Sequence, residues 1–275
     1  VGVVPIVENG LIRSVFDGVL GGDDKAGISA ILEAITHLHE EGIPHPELWL
    51  IFTVCEEAGM FGSKNLDLSV IPAQEFVVLD AGGDVGTIIV RSPSKADMTM
   101  TFHGRAAHAG IEPEKGISAI QMAAYAIERM QLLRIDEETV ANLGRIEGGG
   151  QTNIVTNSVT VTGEVRAQTK DRLQSQIEHM RSCCEDAARH FGGTFDFDHH
   201  ISYPAMSIAP DSALLHRATH ACAKLGFPSA TKGTGGGSDA NIFSGQGRSC
   251  INLCIGMSKV HTTEEFIRIE DMVNT

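Results

Sequence analysis

Carboxylates gather in three short segments of this 275-residue sequence. Asp23 and Asp24 stand in Gly-Gly-Asp-Asp-Lys-Ala-Gly, just ahead of an amphipathic run. Glu56 and Glu57 follow the apolar run Glu47 to Val54, and Asp80 follows Glu75 to Leu79. Carboxylates that meet at strand ends repel one another and need protons or cations between them. Oxygen donors joined by a histidine suit one or two divalent ions, zinc first, with cobalt or manganese able to use the same ligands. Among 12 histidines, two have suitable settings. His108 lies in the small-residue loop Gly-Arg-Ala-Ala-His-Ala-Gly, and His261 follows an apolar run and a glycine-containing turn. Each acidic segment also has a structural reading, as a helix cap, a first helical turn or a loop. Three such coincidences at three strand-to-helix junctions make that reading the weaker one for the set.

The remaining chemistry-bearing residues are less telling. His37, His39 and His45 read as surface residues, His103 as the polar face of a strand, and His199 and His200 as a solvated turn. Gly148-Gly149-Gly150 and Gly235-Gly236-Gly237-Ser238-Asp239 are either anion cradles or flexible turns. Neither matches the P-loop or the dinucleotide fingerprint, and no Gly-x-Ser-x-Gly elbow supports a serine hydrolase.

The elements that must position these residues fall into two styles. Glu47 to Val54, Glu75 to Leu79, Gly86 to Val90 and Cys250 to Ile255 are near-continuous apolar runs, expected as strands buried on both faces. Ile28, Ile31, Ile35 and Leu38 recur at helical spacing, closed by Gly42, and Leu214 to Leu225 reads as a helix closed by Gly226. Between these lies a stretch of alternating strands (Met98, Met100, Phe102; Val159, Val161, Val165; Phe195, Phe197) and two long amphipathic helices. Its order, strand, helix, strand, strand, helix, strand, is ferredoxin-like. The expected fold is therefore α/β. A mixed central sheet with helices on both faces spans 1–93 and 206–275, and an α+β ferredoxin-like domain is inserted at 94–205.

Composition narrows the function. Lys and Arg number 21 against 35 Asp and Glu, a net charge of −14, which disfavours nucleic acid and anionic membrane surfaces as partners. No apolar run approaches a membrane span, and no signal-peptide pattern is visible. The six cysteines form no Cys-x-x-Cys pair and sit mostly in apolar stretches, as expected of buried thiols in a reducing cytoplasm.

Five segments occur in an order that resembles a known family. They are Leu20-Gly-Gly-Asp-Asp-Lys-Ala-Gly27, Val54-Cys-Glu-Glu-Ala-Gly59, Leu79-Asp-Ala-Gly82, Gly104-Arg-Ala-Ala-His-Ala-Gly110 and His261-Thr-Thr-Glu-Glu265. Together they resemble the di-zinc exopeptidases of peptidase T, glutamate carboxypeptidase and aminoacylase, with the nearest likeness to peptidase T. The resemblance implies a zinc-exopeptidase catalytic domain and an inserted lid that also dimerises the protein. It implies release of the N-terminal residue from short peptides by a zinc-activated water. Glu56 would be the general base. Asp23 would bridge two zinc ions, Glu57 and His261 would hold one, and Asp80 the other. His108, Asn153, Arg166 and Gly236 would bind substrate, His108 across a dimer interface in many relatives. The same zinc site on another substrate would give an N-acyl amino acid amidohydrolase or a carboxypeptidase.

The family also carries a His-x-Asp motif upstream of the bridging aspartate, yet no histidine precedes His37 here. Two expectations follow. Either the sequence is part of a longer enzyme, beginning after that motif and stopping inside its last helical region, or the chain is non-catalytic and lacks a complete metal site. The intact remainder favours the first.

Overall fold

The computed structural model describes residues 2–275; Val1, the first residue of the expected catalytic domain, lies outside them. The described residues divide into two compact units, the part of the chain up to residue 92 together with 206–275, and residues 93–205.

The first unit is built on a mixed sheet. Strand Ser249–Cys254 lies parallel to Glu75–Ala81 on one side and antiparallel to Thr87–Ser92 on the other. Ala230–Gly233 and Met206–Ser207 also pair with Thr87–Ser92. Successive strand residues face opposite ways, and two separate cores result. Ile89, Cys250 and Phe76 pack with Ala240 and Phe243 of the helix Asp239–Gly245. Ile88 and Ile251 pack with Leu214 and Leu215 of the helix Ala213–Lys224. Helices thus cover both faces at Thr87–Ser92 and Ser249–Cys254, as their continuous apolar runs require. The strand Glu75–Ala81 ends the sheet and is not buried on both faces as expected, with Val77 47% exposed. The helix Gly22–Glu40 sets Ala26 against Ile255, Met257 and Ile267. It ends as expected, with Gly42 at φ +59°, a left-handed backbone that suits glycine.

One expected strand differs. Residues 47–54 have no ladder partner among the described residues, and Leu48, Trp49, Leu50 and Phe52 are 43–47% exposed. An apolar run sets a preference for burial, but a strand also needs a neighbouring edge to satisfy its backbone groups. No described strand pairs with these residues, although Glu75–Ala81 ends its sheet with a strand partner on one side only.

The second unit is the expected ferredoxin-like arrangement. Its sheet runs in the order Leu133–Arg134, Thr139–Gly148, Ser158–Ala167, Ser94–His103, Thr194–Tyr203, all pairs antiparallel. Along Ser94–His103, buried and half-exposed residues alternate without a break. Ala96, Met98, Met100 and Phe102 face the helices Ala119–Arg129 and Lys170–Phe191, where Met122, Ile177 and Met180 are fully buried. The opposite face is polar: Lys95 meets Asp97 and Glu164 at 3.0 Å each.

Four of the six cysteines are buried as expected; Cys222 is half-buried and Cys55 exposed. Among the described residues, no helix is long and apolar enough to cross a membrane.

Candidate metal centre

Three segments of the first unit bring their acidic residues to one cleft of about 210 Å³. Asp23, Glu56, Glu57, Asp80, Gly236 and His261 all line it. In open α/β sheets the crevice beyond the carboxyl ends of the strands is where ligands bind, and Asp80 stands at that end of Glu75–Ala81.

Each acid is fixed by its local chain. Asp80 donates its backbone N–H to Asn252 Oδ1 at 2.9 Å, and the Asn252 amide returns a bond to the Asp80 carbonyl at 3.1 Å. Asn252 also donates to Ser238 Oγ, tying the glycine-rich loop to the strand pair. Asp23 and Asp24 occupy the first turn of Gly22–Glu40, where their backbone departs from helical geometry and their shared peptide is cis. Asp24 Oδ1 accepts from Gly27 N at 3.2 Å. A Cβ on Gly27 would lie 2.3 Å from the Leu79 carbonyl oxygen, so the closing glycine of the Asp-Asp-Lys-Ala-Gly segment is what lets the helix approach the strand.

Glu56 and Glu57 sit on a turn between Val54 and the short helix Phe61–Asn65. The Glu56 carbonyl accepts from Gly59 N and Met60 N. Both ends of this turn are held by one buried carboxylate: Asp239 accepts from Thr53 Oγ1 and Ser63 Oγ at 2.5 Å each. His261, at φ +63°, reaches Asp23 Oδ2 at 3.1 Å and Glu57 Oε1 at 2.9 Å through Nε2.

Two triads have ligand atoms within 4.8 Å of one another: Asp23, Glu57 and His261, and Asp23, Asp24 and Asp80. Asp23 belongs to both. The electrostatics mark a site built for positive charge. Burial, then the charges of Asp24, Asp23 and Glu56, pushes Asp80 up to about 9. Burial also lifts Asp24 to about 7, aided by Asp23 and Glu56 and opposed by the Gly27 N–H. Glu56 rises to about 7 through burial and then the charges of Asp239, Glu57 and Asp23. His261 is raised: burial opposes its protonation, but the Glu57 and Asp23 carboxylates outweigh it. Hard oxygen donors plus one imidazole, crowded enough to resist ionising together, fit divalent cations.

The expected substrate residues are divided between the two units. Gly236 stands on the rim of the cleft, its N–H on Thr234 Oγ1 at 3.2 Å. His108, Asn153 and Arg166 belong to the second unit. His108 and Asn153 are exposed on adjoining loops, which are joined by Ala109 N to the Asn153 carbonyl and a bridge from His108 to Ile154. Arg166 lies on the polar sheet face, donating through Nε to Glu164 Oε1 at 2.7 Å. His103 is on that face too, 2.8 Å from Asp196.

Sequence reasoning counted Asp24 among the clustered acids without assigning it a ligand role, and gave no role to Asp239, Asn252 or Glu265. Signals existed for these three: the end of the Gly-Gly-Gly-Ser-Asp run, the one polar residue inside Cys250 to Ile255, and the second acid after His261.

Comparison with known proteins gives the following. Residues 92–191 match the family model of the peptidase dimerisation domain, and residues 21–97 match that of M42 glutamyl aminopeptidase. The Bacillus subtilis protein YqjE is 44% identical over 274 residues, which are 100% of this chain and 74% of that protein. Peptidase T of Shewanella pealeana is 30% identical over 268 residues; they are 96% of this chain but 65% of that enzyme, just under two thirds of its length. The crystal structure of aminopeptidase PepT from Bacillus cereus superposes with a TM-score of 0.93 at 41% identity, covering 99% of this chain and 73% of that one.

Proposed function

The chain belongs to the peptidase T-like group of the M20 peptidases, and on that premise we propose that it is a metal-dependent exopeptidase releasing the N-terminal residue of short peptides. The observation that carries this reading is Asp23, whose carboxylate is shared by two ligand triads with Glu56 in the same cleft.

Asp23, Glu57 and His261 would hold one divalent ion, and Asp23 and Asp80 a second, with Asp24 beside them. Zinc is the proposed metal. Cations held there supply Lewis acidity, lowering the pKa of water and polarising a carbonyl. Glu56 does the proton work. Its carboxylate takes a proton from the water that adds to the scissile carbonyl carbon. It then delivers that proton to the amine nitrogen as the C–N bond breaks. In the metal-free cleft, burial and then the charges of Asp239, Glu57 and Asp23 raise Glu56 to about 7, and cations held by Asp23 and Glu57 would offset part of that rise and favour the carboxylate that accepts the proton. Gly236 would contribute its main-chain carbonyl to the cleft, its N–H being held by Thr234 Oγ1. His108, Asn153 and Arg166 would bind substrate oxygens, Arg166 through its planar fork.

The match to a dimerisation domain supports a homodimer formed through residues 94–205, which light scattering checks. The reading includes a cytoplasmic location, on the reasoning given for the cysteines. The decisive experiment incubates the metal-loaded protein with an unblocked tripeptide and with its N-acetylated form. Release of the first residue from the free tripeptide, lost on chelation and in Glu56→Gln, is the expected result. Cleavage of the blocked substrate alone would instead indicate an amidohydrolase. A fully active Glu56→Gln would sink the mechanism.

A further inference from the structure

Glu265 is 2% exposed, one of two buried acids among the described residues. A carboxylate withdrawn from water must be hydrogen-bonded to be tolerated. Glu265 meets that demand with main-chain donors: Gly21 N bonds Oε2 at 2.7 Å, and Asp23 N bonds Oε1 at 3.0 Å. Both donors lie at the start of the helix Gly22–Glu40, whose N-cap, Gly21, has no side chain to cap it. The first N–H groups of a helix lack internal partners and carry partial positive charge. Glu265 therefore caps this helix from more than 240 positions down the chain.

The cap sits where it can set the metal site. Asp23, whose N–H it holds, is common to both ligand triads. His261, four residues before Glu265, contacts the Asp23 side chain at 3.1 Å. The segment between is itself closed by Glu265 N on the Thr262 carbonyl and by the pairing of Phe266 with Ser258. One carboxylate thus joins the chain carrying Asp23 to the chain carrying His261. The fit is close: a Cβ on Gly22 would lie 3.1 Å from Glu265 Oε1, so glycine is the residue that leaves the carboxylate its place. Glu265 does not line the cleft and is in neither triad; its oxygens are turned to the backbone.

We propose that Glu265 is a positioning residue of the metal centre, a carboxylate cap that fixes Asp23 relative to His261 and thereby sets metal affinity and geometry. This rests on the reading of the cleft as a metal site. Outer residues that orient ligands are typically worth about 10–100-fold in metal affinity, and that is the loss expected of Glu265→Gln, which faces one N–H with an amide that cannot accept.

The test titrates cobalt(II) into the chelated wild type, Glu265→Gln and Gly22→Ala, reading affinity, the visible absorption band and hydrogen exchange at residues 21–23. Folding is checked by circular dichroism. Expected for Glu265→Gln is weaker binding in that range, an altered cobalt band, faster exchange at 21–23, and a lower kcat with KM for a tripeptide unchanged. Gly22→Ala displaces the same carboxylate by a few tenths of an ångström and should move the band in the same direction, so it answers the question if Glu265→Gln does not fold. A folded Glu265→Gln with wild-type affinity and band would overturn the proposal and leave Glu265 a helix cap alone, as would an unchanged Gly22→Ala when Glu265→Gln is unfolded. A wild type that binds no cobalt overturns the metal-site reading itself, a distinct result.

Discussion

Asp80→Asn should change the sign of its effect on stability with the presence of metal. In the metal-free protein, burial and then the charges of Asp24, Asp23 and Glu56 raise Asp80 from its ordinary 3.8 to about 9. Below 3.8 both the folded and unfolded chains hold its proton, and above about 9 neither does. Between those limits only the folded chain holds it, so the unfolded state binds fewer protons and stability falls as pH rises. At about 1.4 kcal/mol per pH unit, the climb from the ordinary value to neutrality costs at most about 4.5 kcal/mol. The substituted amide stays neutral in both states. Metal-free Asp80→Asn is therefore expected to exceed the wild type at pH 7 by up to that amount, the two curves converging toward pH 4. Asp24, Glu56 and His261 are raised as well and act in the same direction. Carboxylates held low, such as Asp97 and Glu164, act with the opposite sign only below their ordinary values. The window from pH 5 to 8 therefore isolates the cleft. With saturating zinc the order reverses, because the variant has lost an anionic ligand and binding free energy is folding free energy. Urea denaturation of chelated and zinc-loaded protein across that window is the assay. A metal-free variant less stable than the wild type at every pH, or a chelated wild type that gains stability from pH 5 to 8, would refute the reasoning.

Other outcomes follow from the same geometry. Chelation should lower the denaturation midpoint, since zinc at 1,000 times its dissociation constant is worth about 4 kcal/mol; a midpoint indifferent to chelator would count against a bound ion. Gly27→Ala forces a methyl against the Leu79 carbonyl and should destabilise by about 1–3 kcal/mol, measured by urea unfolding, with weaker cobalt binding because Asp24 is displaced. Ile177→Ala empties a fully buried position in the second unit and should cost about 2–5 kcal/mol there. Cobalt affinity in the first unit should not move, and a matching loss of metal would mean the two units are coupled. Arg166→Lys, which loses the planar fork, should raise KM by about tenfold, with kcat changed less; an unchanged KM would remove Arg166 from substrate binding.

What could be read from the sequence depended on whether the signal was local. The alternation of Met98, Met100 and Phe102 is a property of neighbouring residues, and the strand Ser94–His103 carries it unchanged. The stripes of the helices Ala119–Arg129 and Lys170–Phe191 are local too, and both helices formed where their apolar spacing ran. Residues 47–54 mislead because strand formation depends on a second edge as well as on the run itself, and apolar content says nothing about the edge. In the cleft, Glu56, Glu57 and Asp80 were legible because they follow apolar runs, where the fold class places ligands, and Asp23 because it stands just ahead of an amphipathic run. Their supports were not, because a support is a relation between distant segments. Glu265 answers Gly21 and Asp23, Asp239 answers Thr53 and Ser63, and Asn252 answers Asp80. In each pair the residues have ordinary identities and no shared spacing.

That division has a physical origin and a consequence for the site. The ionisable groups of the cleft are held close enough that burial and mutual repulsion or attraction lift four of them away from their ordinary proton affinities. Such a cluster would relax apart if its carrier segments were free. It is kept together by buried polar contacts that touch the backbone or the turn ends: Asn252 on the Asp80 main chain, Asp239 at both ends of the Glu56 turn, Glu265 on the Asp23 main chain. The chain thus separates two tasks. Asp23, Glu57, Asp80 and His261 keep their side chains for a cation, while a second set of polar groups, with Asn252 among them although it lines the cleft, spends its bonding capacity on the scaffold. A substitution in the first set should relieve repulsion in the metal-free protein and harm only the loaded one. A substitution in the second set should harm both, because the repulsion persists when the restraint is gone. Asp80→Asn and Glu265→Gln, measured side by side with and without metal, are expected to differ in this way, and equal behaviour in the chelated state would show that the two sets are not distinct.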